Sequence, residues 1–239
     1  MTKKLGCFEL DQIYCGDCLK LMPQIPEDSV DLIVTDPPFA IDFKAKRNNY
    51  NRTPEKVLEG YSEIPREEYY DFSLSWMKEA QRVLKKTGSM YVFSGWSNLK
   101  DILNAIDDVG FFTVNHLIWK YQFGVFTKRK FVTSHYHILF VVRDKRNYKF
   151  NKVEHYPEDV WEIKREYWKG KLKTPTKLPL EIVSRILKFS SDESDVVLDP
   201  FAGAGTVLLA AKMLKRHFLG FEIVKEYCKL ARERLSDMG

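Results

Sequence analysis

Residues Val196-Val197-Leu198-Asp199-Pro200-Phe201-Ala202-Gly203-Ala204-Gly205-Thr206 read as strand, turn and helix start. The apolar run stopped by Asp199-Pro200 is a short buried strand. Gly203 and Gly205 carry no Cβ, so a ligand can approach the backbone there. The helix that follows presents unpaired N–H groups and the positive end of its dipole, which favours an anionic group. A dinucleotide fingerprint needs a third small residue at position 208, where this chain has Leu208, and Gly205-Thr206-Val207 is not the Gly-Lys-Ser/Thr of a P-loop. The turn therefore suits a ligand without a pyrophosphate. Seventeen residues beyond Gly205, Glu222 ends the strand Phe218-Leu219-Gly220-Phe221. An acid at that place can accept hydrogen bonds from both hydroxyls of a ribose. Turn and acid on successive strands point to an adenosyl ligand; the bland alternative is a tight turn and a surface glutamate.

Outward from this turn, strands alternate with helices. Strands are expected over residues 12–14, 29–35, 89–94, 111–119, 137–142, 195–199 and 217–222. Helices are expected over 18–25, 69–84 (closed by Gly88), 99–109 (closed by Gly110), 178–189 (entered near Pro179), 206–214 and 225–235. Residues 41–65 are polar and basic without a period, a long loop of the kind that is mobile or functional. Residues 144–173 break the alternation as an irregular insertion. The pattern is that of an α/β fold with a doubly wound, mostly parallel sheet, which binds ligands at the carboxyl ends of its strands.

A chain of 239 residues with 44% hydrophobic and 30% charged residues is globular and can bury its own core. No apolar run reaches the roughly 18–20 residues of a membrane span, and no apolar stretch follows the basic N-terminus as in a secretory signal. Cys7, Cys15, Cys18 and Cys228 lack the second pair or the histidines of a zinc site, so no metal is expected. Free thiols and a cytoplasmic location follow. His116, His135 and His137 lie in or near strands, with His135 and His137 on one face and no third ligand evident. They are expected to be structural or to face a partner.

The net charge of +5 is unevenly spread. Residues 120–177 hold 15 Lys and Arg against 6 Asp and Glu, together with Tyr121, Phe123, Phe126, Phe131, Tyr136, Tyr148, Phe150, Trp161, Tyr167 and Trp168. Basic and aromatic residues together suit a phosphate backbone and unstacked bases; a solvated face over an ordinary aromatic core gives the same composition.

Thr35-Asp36-Pro37-Pro38-Phe39 follows an apolar strand directly. The prolines fix the backbone and remove two N–H donors. The Asp36 carboxylate and the Pro37 carbonyl can converge as two acceptors on one –NH₂ group. Phe39 offers a flat face for stacking. The exocyclic amine of cytosine or adenine is a poor nucleophile because its lone pair is delocalised into the ring. Two acceptors holding its hydrogens favour a pyramidal nitrogen, which frees the lone pair for a methyl group in line. The base must leave the duplex to reach such a pocket. A proline-stiffened turn capped by Asp36 is the alternative.

With both motifs in hand, the chain resembles the S-adenosylmethionine-dependent DNA amino-methyltransferases, which methylate cytosine N4 or adenine N6. Asp36-Pro37-Pro38-Phe39 resembles their catalytic tetrapeptide, and Asp199 to Thr206 their cofactor loop, including Pro200, Phe201, Gly203 and Gly205. The catalytic motif comes first, as in the β group, a circular permutation of the fold with a target-recognition region inserted between the motifs. The resemblance implies a catalytic half over residues 1–119, a target-recognition insertion over 120–173 and a cofactor half over 174–239. It implies Asp17, beside Cys18, as acceptor for the cofactor's adenine amine, Glu222 as ribose ligand, Thr176 and Lys177 near the methionine carboxylate, and Thr35 and Asp36 at the cofactor. Lys44, Lys46, Arg47 and Arg52 on the loop, and Lys128, Arg129 and Lys130, are implied as DNA contacts. Double-stranded DNA, a homodimer and a cognate restriction endonuclease are the partners implied, with S-adenosylhomocysteine as product.

Asp36 is typical of adenine enzymes, whereas residues 35–53 are similar to archaeal N4-cytosine methylases that modify CTAG, and Phe39 in place of tyrosine leans the same way. Cytosine N4 is the expected target, with adenine N6 the alternative. RNA or protein methylation by the same fold is a further alternative, and a DNA-binding module without catalysis another.

Overall fold

The computed structural model describes residues 3–40, 64–122, 124, 128–166 and 177–237. The expected loop over 41–65, with Lys44, Lys46, Arg47 and Arg52, lies almost wholly outside the described residues, and so does Thr176.

A small antiparallel pair, β1 (Lys4–Leu5) and β2 (Phe8–Glu9), precedes the main sheet. The chain then runs β3 (Gln12–Cys15), α1 (Cys18–Leu21), β4 (Val30–Thr35), α2 (Tyr69–Val83), β5 (Leu84–Ser94) and α3 (Leu99–Val109). It continues through β6 (Phe112–Lys120), β7 (His135–Val142), β8 (Val160–Glu162), α4 (Leu180–Ser190), β9 (Val196–Asp199), α5 (Thr206–Met213), β10 (His217–Glu222) and α6 (Lys225–Ser236). Eight strands form one sheet in the order β3-β10-β9-β4-β5-β7-β6-β8. The first five are mutually parallel, β7 is antiparallel to both β5 and β6, and β8 is parallel to β6. Helices cover both faces, as expected of a strand that is apolar on both sides such as β4, where Leu32, Ile33 and Val34 are all buried. Alternate residues feed two cores. Leu32, Val34, Tyr91 and Phe93 face α4 and α5, while Ile33, Met90 and Val92 face α2 and α3.

Helix α2 shows how the sequence sets this packing. Tyr69, Ser73, Trp76, Met77, Ala80 and Val83 recur at helical spacing and are buried. The helix stops at Val83 because Leu84 is already extended and pairs with Val30. Closure at Gly88 was expected, so the structure moves this boundary. Gly88 lies inside β5, where the register slips between Val30/Leu84 and Leu32/Ser89 and the extra residues are accommodated. A Cβ on Gly88 would come within 2.8 Å of the Asp31 carbonyl oxygen.

The insertion contains one strand that the sequence did not signal. Three-residue β8 extends the sheet beyond β6 at Trp119–Trp161, too short a segment to show periodicity. His116 and His137 meet across β6 and β7, Nε2 to Nδ1 at 2.7 Å, with the His135 ring centroid 5.1 Å from that of His137. The cysteines are free thiols; Cys18 and Cys228 are buried, whereas Cys7 and Cys15 are exposed. Among the described residues no helix is long and apolar enough to cross a membrane.

Candidate functional site

Four adjacent parallel strands, β3, β10, β9 and β4, end in or just before an acid: Asp17, Glu222, Asp199 and Asp36. At about 4.8 Å per strand, these form a row along the carboxyl edge of the sheet. The row lines a cavity of about 340 Å³ that also takes in Pro37, Pro38 and Phe39.

Each acid is held differently. Asp17 caps α1, its Oδ1 accepting from the Leu19 N–H at 3.0 Å. Glu222 accepts from two backbone N–H groups, Gly203 to Oε2 and Val224 to Oε1, both at 2.8 Å. Burial raises its pKa, and those N–H donors oppose the rise. Asp199 is buried; its Oδ1 accepts from the Thr35 hydroxyl at 2.9 Å and from the Phe201 N–H at 3.1 Å. Its pKa is nonetheless pushed up to about 7, first by burial and further by the charge of Glu222. Asp36 is half-buried, and its Oδ1 is enclosed with no hydrogen-bond partner among the described residues. Burial, and then the charge of Asp199, raises its pKa to about 7.

The glycine turn divides its labour. Gly203 has φ +51° and open space where a Cβ would stand, and it lines the cavity. Gly205 has φ +75°, but a Cβ there would lie 2.9 Å from Ala231 Cβ, so this glycine serves the approach of α6 and does not line the cavity. Pro200, Phe201 and Thr206 line it. Phe201 is fixed by an edge contact with Trp76 at 5.5 Å. The Cys18 thiol is pushed up to about 12 by burial, and by the neighbouring Asp17 charge, so it remains a neutral wall.

Thr35 departs from the expected place. It is fully buried and absent from the cavity wall, and it acts through its hydrogen bond to Asp199. Lys177 lines the cavity and pairs with Glu166 at 2.5 Å. Phe39 lines the cavity but is largely buried, its ring 5.8 Å from that of Tyr136. Lys128, Arg129 and Lys130 are exposed, outside the cavity. Among the described residues no group of three His, Cys, Asp or Glu side chains could hold a metal ion.

Several site residues escaped the sequence reading. Ile223 and Tyr227 line the cavity beside Glu222. Arg234 donates to the Ala204 carbonyl and braces the glycine turn. Only the position of Ile223 next to Glu222 was a signal; Tyr227 and Arg234 reach the site through the packing of α6.

The chamber fits an adenosyl sulfonium compound. Glu222 is pre-oriented by backbone donors and keeps lone pairs for further donors. The gap at Gly203 admits a ligand to the backbone, and the uncompensated Asp36 Oδ1 lacks a donor or a positive charge.

The sequence profile of the N6_N4_Mtase family, described as DNA methylase, matches residues 30–233. The Type II methyltransferase M.HpaI of Haemophilus parainfluenzae is 30% identical over 248 residues, covering 95% of this chain and 74% of that protein. The crystal structure of the M1.HpyAVI–SAM complex superposes with a TM-score of 0.70 at 27% identity, over 94% of this chain and 98% of that one. The cytosine-N4-specific PvuII DNA methyltransferase shares the fold, with a TM-score of 0.74 at 21% identity over 98% of this chain and 87% of its own.

Proposed function

The chain belongs to the N6_N4_Mtase family of DNA methylases, and on that premise we propose that it methylates the exocyclic amine of a base extruded from double-stranded DNA, with cytosine N4 as the acceptor. The single observation that carries this is the row of four acids whose last member, Asp36, alone has an enclosed oxygen without a donor among the described residues. S-adenosylmethionine, bound along the row, supplies an electrophilic methyl carbon and leaves as S-adenosylhomocysteine.

The chain's own residues do the rest. Glu222 takes the ribose hydroxyls and Asp17 the adenine amine. Asp199, Pro200, Phe201, Gly203 and Thr206 surround the centre of the cofactor, with Lys177, and Thr176 beside it, towards the methionine carboxylate. Thr35 and Gly205 are positioning residues behind this wall, and Cys18 is part of it. Asp36 Oδ1 and the Pro37 carbonyl each accept one N–H of the base amine, which holds the nitrogen pyramidal with its lone pair towards the methyl carbon. Pro38 stiffens the turn, and Phe39 stacks on the base. When the nitrogen–carbon bond forms and the carbon–sulfur bond breaks, the amine carries a surplus proton. Asp36, with a pKa near 7, is suited to take it at neutral pH.

The insertion over residues 120–173 is the DNA-reading part, between a catalytic half (1–119) and a cofactor half (174–239). Lys128, Arg129 and Lys130 contact phosphates. Lys44, Lys46, Arg47 and Arg52 do the same from the loop over 41–65. A cytoplasmic location, a cognate restriction endonuclease, pairing into a homodimer and a CTAG-like target belong to the same proposal. Asp36 in place of serine favours a second reading, adenine N6.

Nucleoside analysis of plasmid DNA incubated with the protein and S-adenosylmethionine tests this. N4-methylcytosine is the expected product. N6-methyladenine as sole product rejects the cytosine assignment, and methyl transfer to RNA alone rejects DNA as substrate.

A further inference from the structure

Arg165, two ring contacts from Phe39 of the catalytic turn, has no acidic partner among the described residues. The Arg165 guanidinium lies 3.8 Å from the ring centroid of Tyr121, 5.7 Å from that of Tyr136 and 5.9 Å from that of Trp119. Tyr136 in turn is the ring that approaches Phe39. The arginine thus sits at the far end of an aromatic platform whose near end is the fourth residue of the catalytic tetrapeptide. It is half-buried, its Nε is enclosed without a hydrogen-bond partner, and among the described residues it meets no carboxylate.

Other half-buried arginines of this molecule are tied off. Arg82 pairs with Glu79 and with two carbonyls, and Arg185 forks onto Glu154. Arg216 is held by the carbonyls of Leu214 and Ser191. The neighbouring acid, Glu166, is taken by Lys177 and by the Leu180 N–H. Arg165 is not loose, however. Its N–H donates to the Gln122 Oε1 at 2.8 Å, and the preceding segment is fastened by Trp119 Nε1 to the Ile163 carbonyl at 2.7 Å. A guanidinium fixed on aromatic faces, with its fork unclaimed among the described residues, is a preorganised donor.

We propose that Arg165 reads the Watson–Crick edge of the extruded base, donating its two-pronged fork to N3 and O2 of a cytosine whose N4 faces Asp36. This rests on the methylation centre proposed above and supplies a chemical reason for its choice of base. On cytosine the atoms next to the amine-bearing carbon are N3 and then O2, two acceptors on one edge that a guanidinium matches bidentately. On adenine the same edge presents N1 and then a C–H, so half of the fork is left unpaired. A phosphate is the other acceptor a guanidinium seeks. The enclosure of Nε among rings favours a flat base over an exposed phosphate as its partner.

The test compares wild-type protein with Arg165→Lys and Arg165→Met on plasmid DNA, with S-adenosylmethionine as donor. Lysine keeps the charge over the rings but loses the fork, and it guards against a folding defect in the methionine variant. Both variants are expected to keep the wild-type Tm, cofactor affinity and salt dependence of DNA binding. Both are expected to form N4-methylcytosine roughly 10- to 100-fold more slowly, with a larger share of N6-methyladenine in the product. Wild-type rates in the lysine variant overturn the proposal, because charge alone then suffices. A salt slope reduced by about one in the methionine variant also overturns it, because Arg165 is then a phosphate contact. If the wild-type protein itself makes no N4-methylcytosine, the base assignment of the proposed function fails first, and with it this role for Arg165.

Discussion

Glu222 and Asp36 stand two strands apart on one sheet edge, and the protein treats them in opposite ways. Both Glu222 oxygens are claimed by backbone donors, Gly203 from the turn after β9 and Val224 from the turn after β10, so the carboxylate is locked in place before any ligand arrives. Asp36 keeps an enclosed oxygen with no donor among the described residues and is pushed towards neutrality by burial and by Asp199. A group that only has to hold its ligand can be satisfied beforehand. In the proposed mechanism the group that acts on the substrate amine is left short, and the fold bears the cost of that shortage.

The sharpest way to break this contrast is Asp36→Ala. Methyl transfer should fall by roughly 10²–10⁴-fold, while calorimetry with S-adenosylmethionine shows a Kd close to that of the parent. A large loss of cofactor affinity instead would make Asp36 a binding group like Glu222. The converse substitution, Glu222→Ala, should weaken cofactor binding roughly 10- to 100-fold and lower Tm as well, since the Gly203 and Val224 N–H groups lose their acceptors. An unchanged Kd would remove Glu222 from the ligand.

The pH profile sharpens the comparison further. In the proposed mechanism Asp36 accepts the amine protons only when ionised, so the methylation rate should climb as pH rises through about 7 and flatten above it. Asp199→Asn removes the negative neighbour that helps to raise this value, so the rising limb should move to lower pH. A limb that stays put would assign the titration to another group.

The smallest effect is on stability. Asp36 in the folded chain binds its proton more tightly than in the unfolded chain, so its contribution is favourable at low pH and is lost as pH rises through about 7. Asp36→Asn should therefore be more stable than the parent at pH 8, by about 1–3 kcal/mol given that the side chain is only half-buried. The gap should narrow towards pH 4, as read by thermal melts across that range. A less stable asparagine variant at pH 8 would mean that the carboxylate is compensated after all.

What the sequence could disclose follows the same divide. The strand Val196–Asp199, the turn at Gly203 and Gly205 and the strand His217–Glu222 are contiguous motifs in which residue type and neighbour decide the conformation, and they stand where expected within a residue. The Leu99–Val109 helix was equally legible from its apolar spacing and Gly110. The end of α2 was not, because pairing of Leu84 with Val30 overrides the glycine signal further on. The family resemblance puts Thr35 at the cofactor, whereas its hydroxyl is turned to Asp199, a partner known only once β4 and β9 lie side by side. Arg165 and Arg234 owe their positions to rings and carbonyls contributed from elsewhere in the chain, which no local pattern encodes.

The Thr35–Asp199 hydrogen bond joins residues 164 positions apart, between strands that are neighbours near the middle of the sheet. Asp36 therefore gains its negative neighbour, and the cavity its glycine-turn wall, only once β9 has docked beside β4. Until then β4 has one bare edge, open to mispairing. A chain cut short of β9 therefore carries Asp36 without the neighbour that helps to raise its pKa.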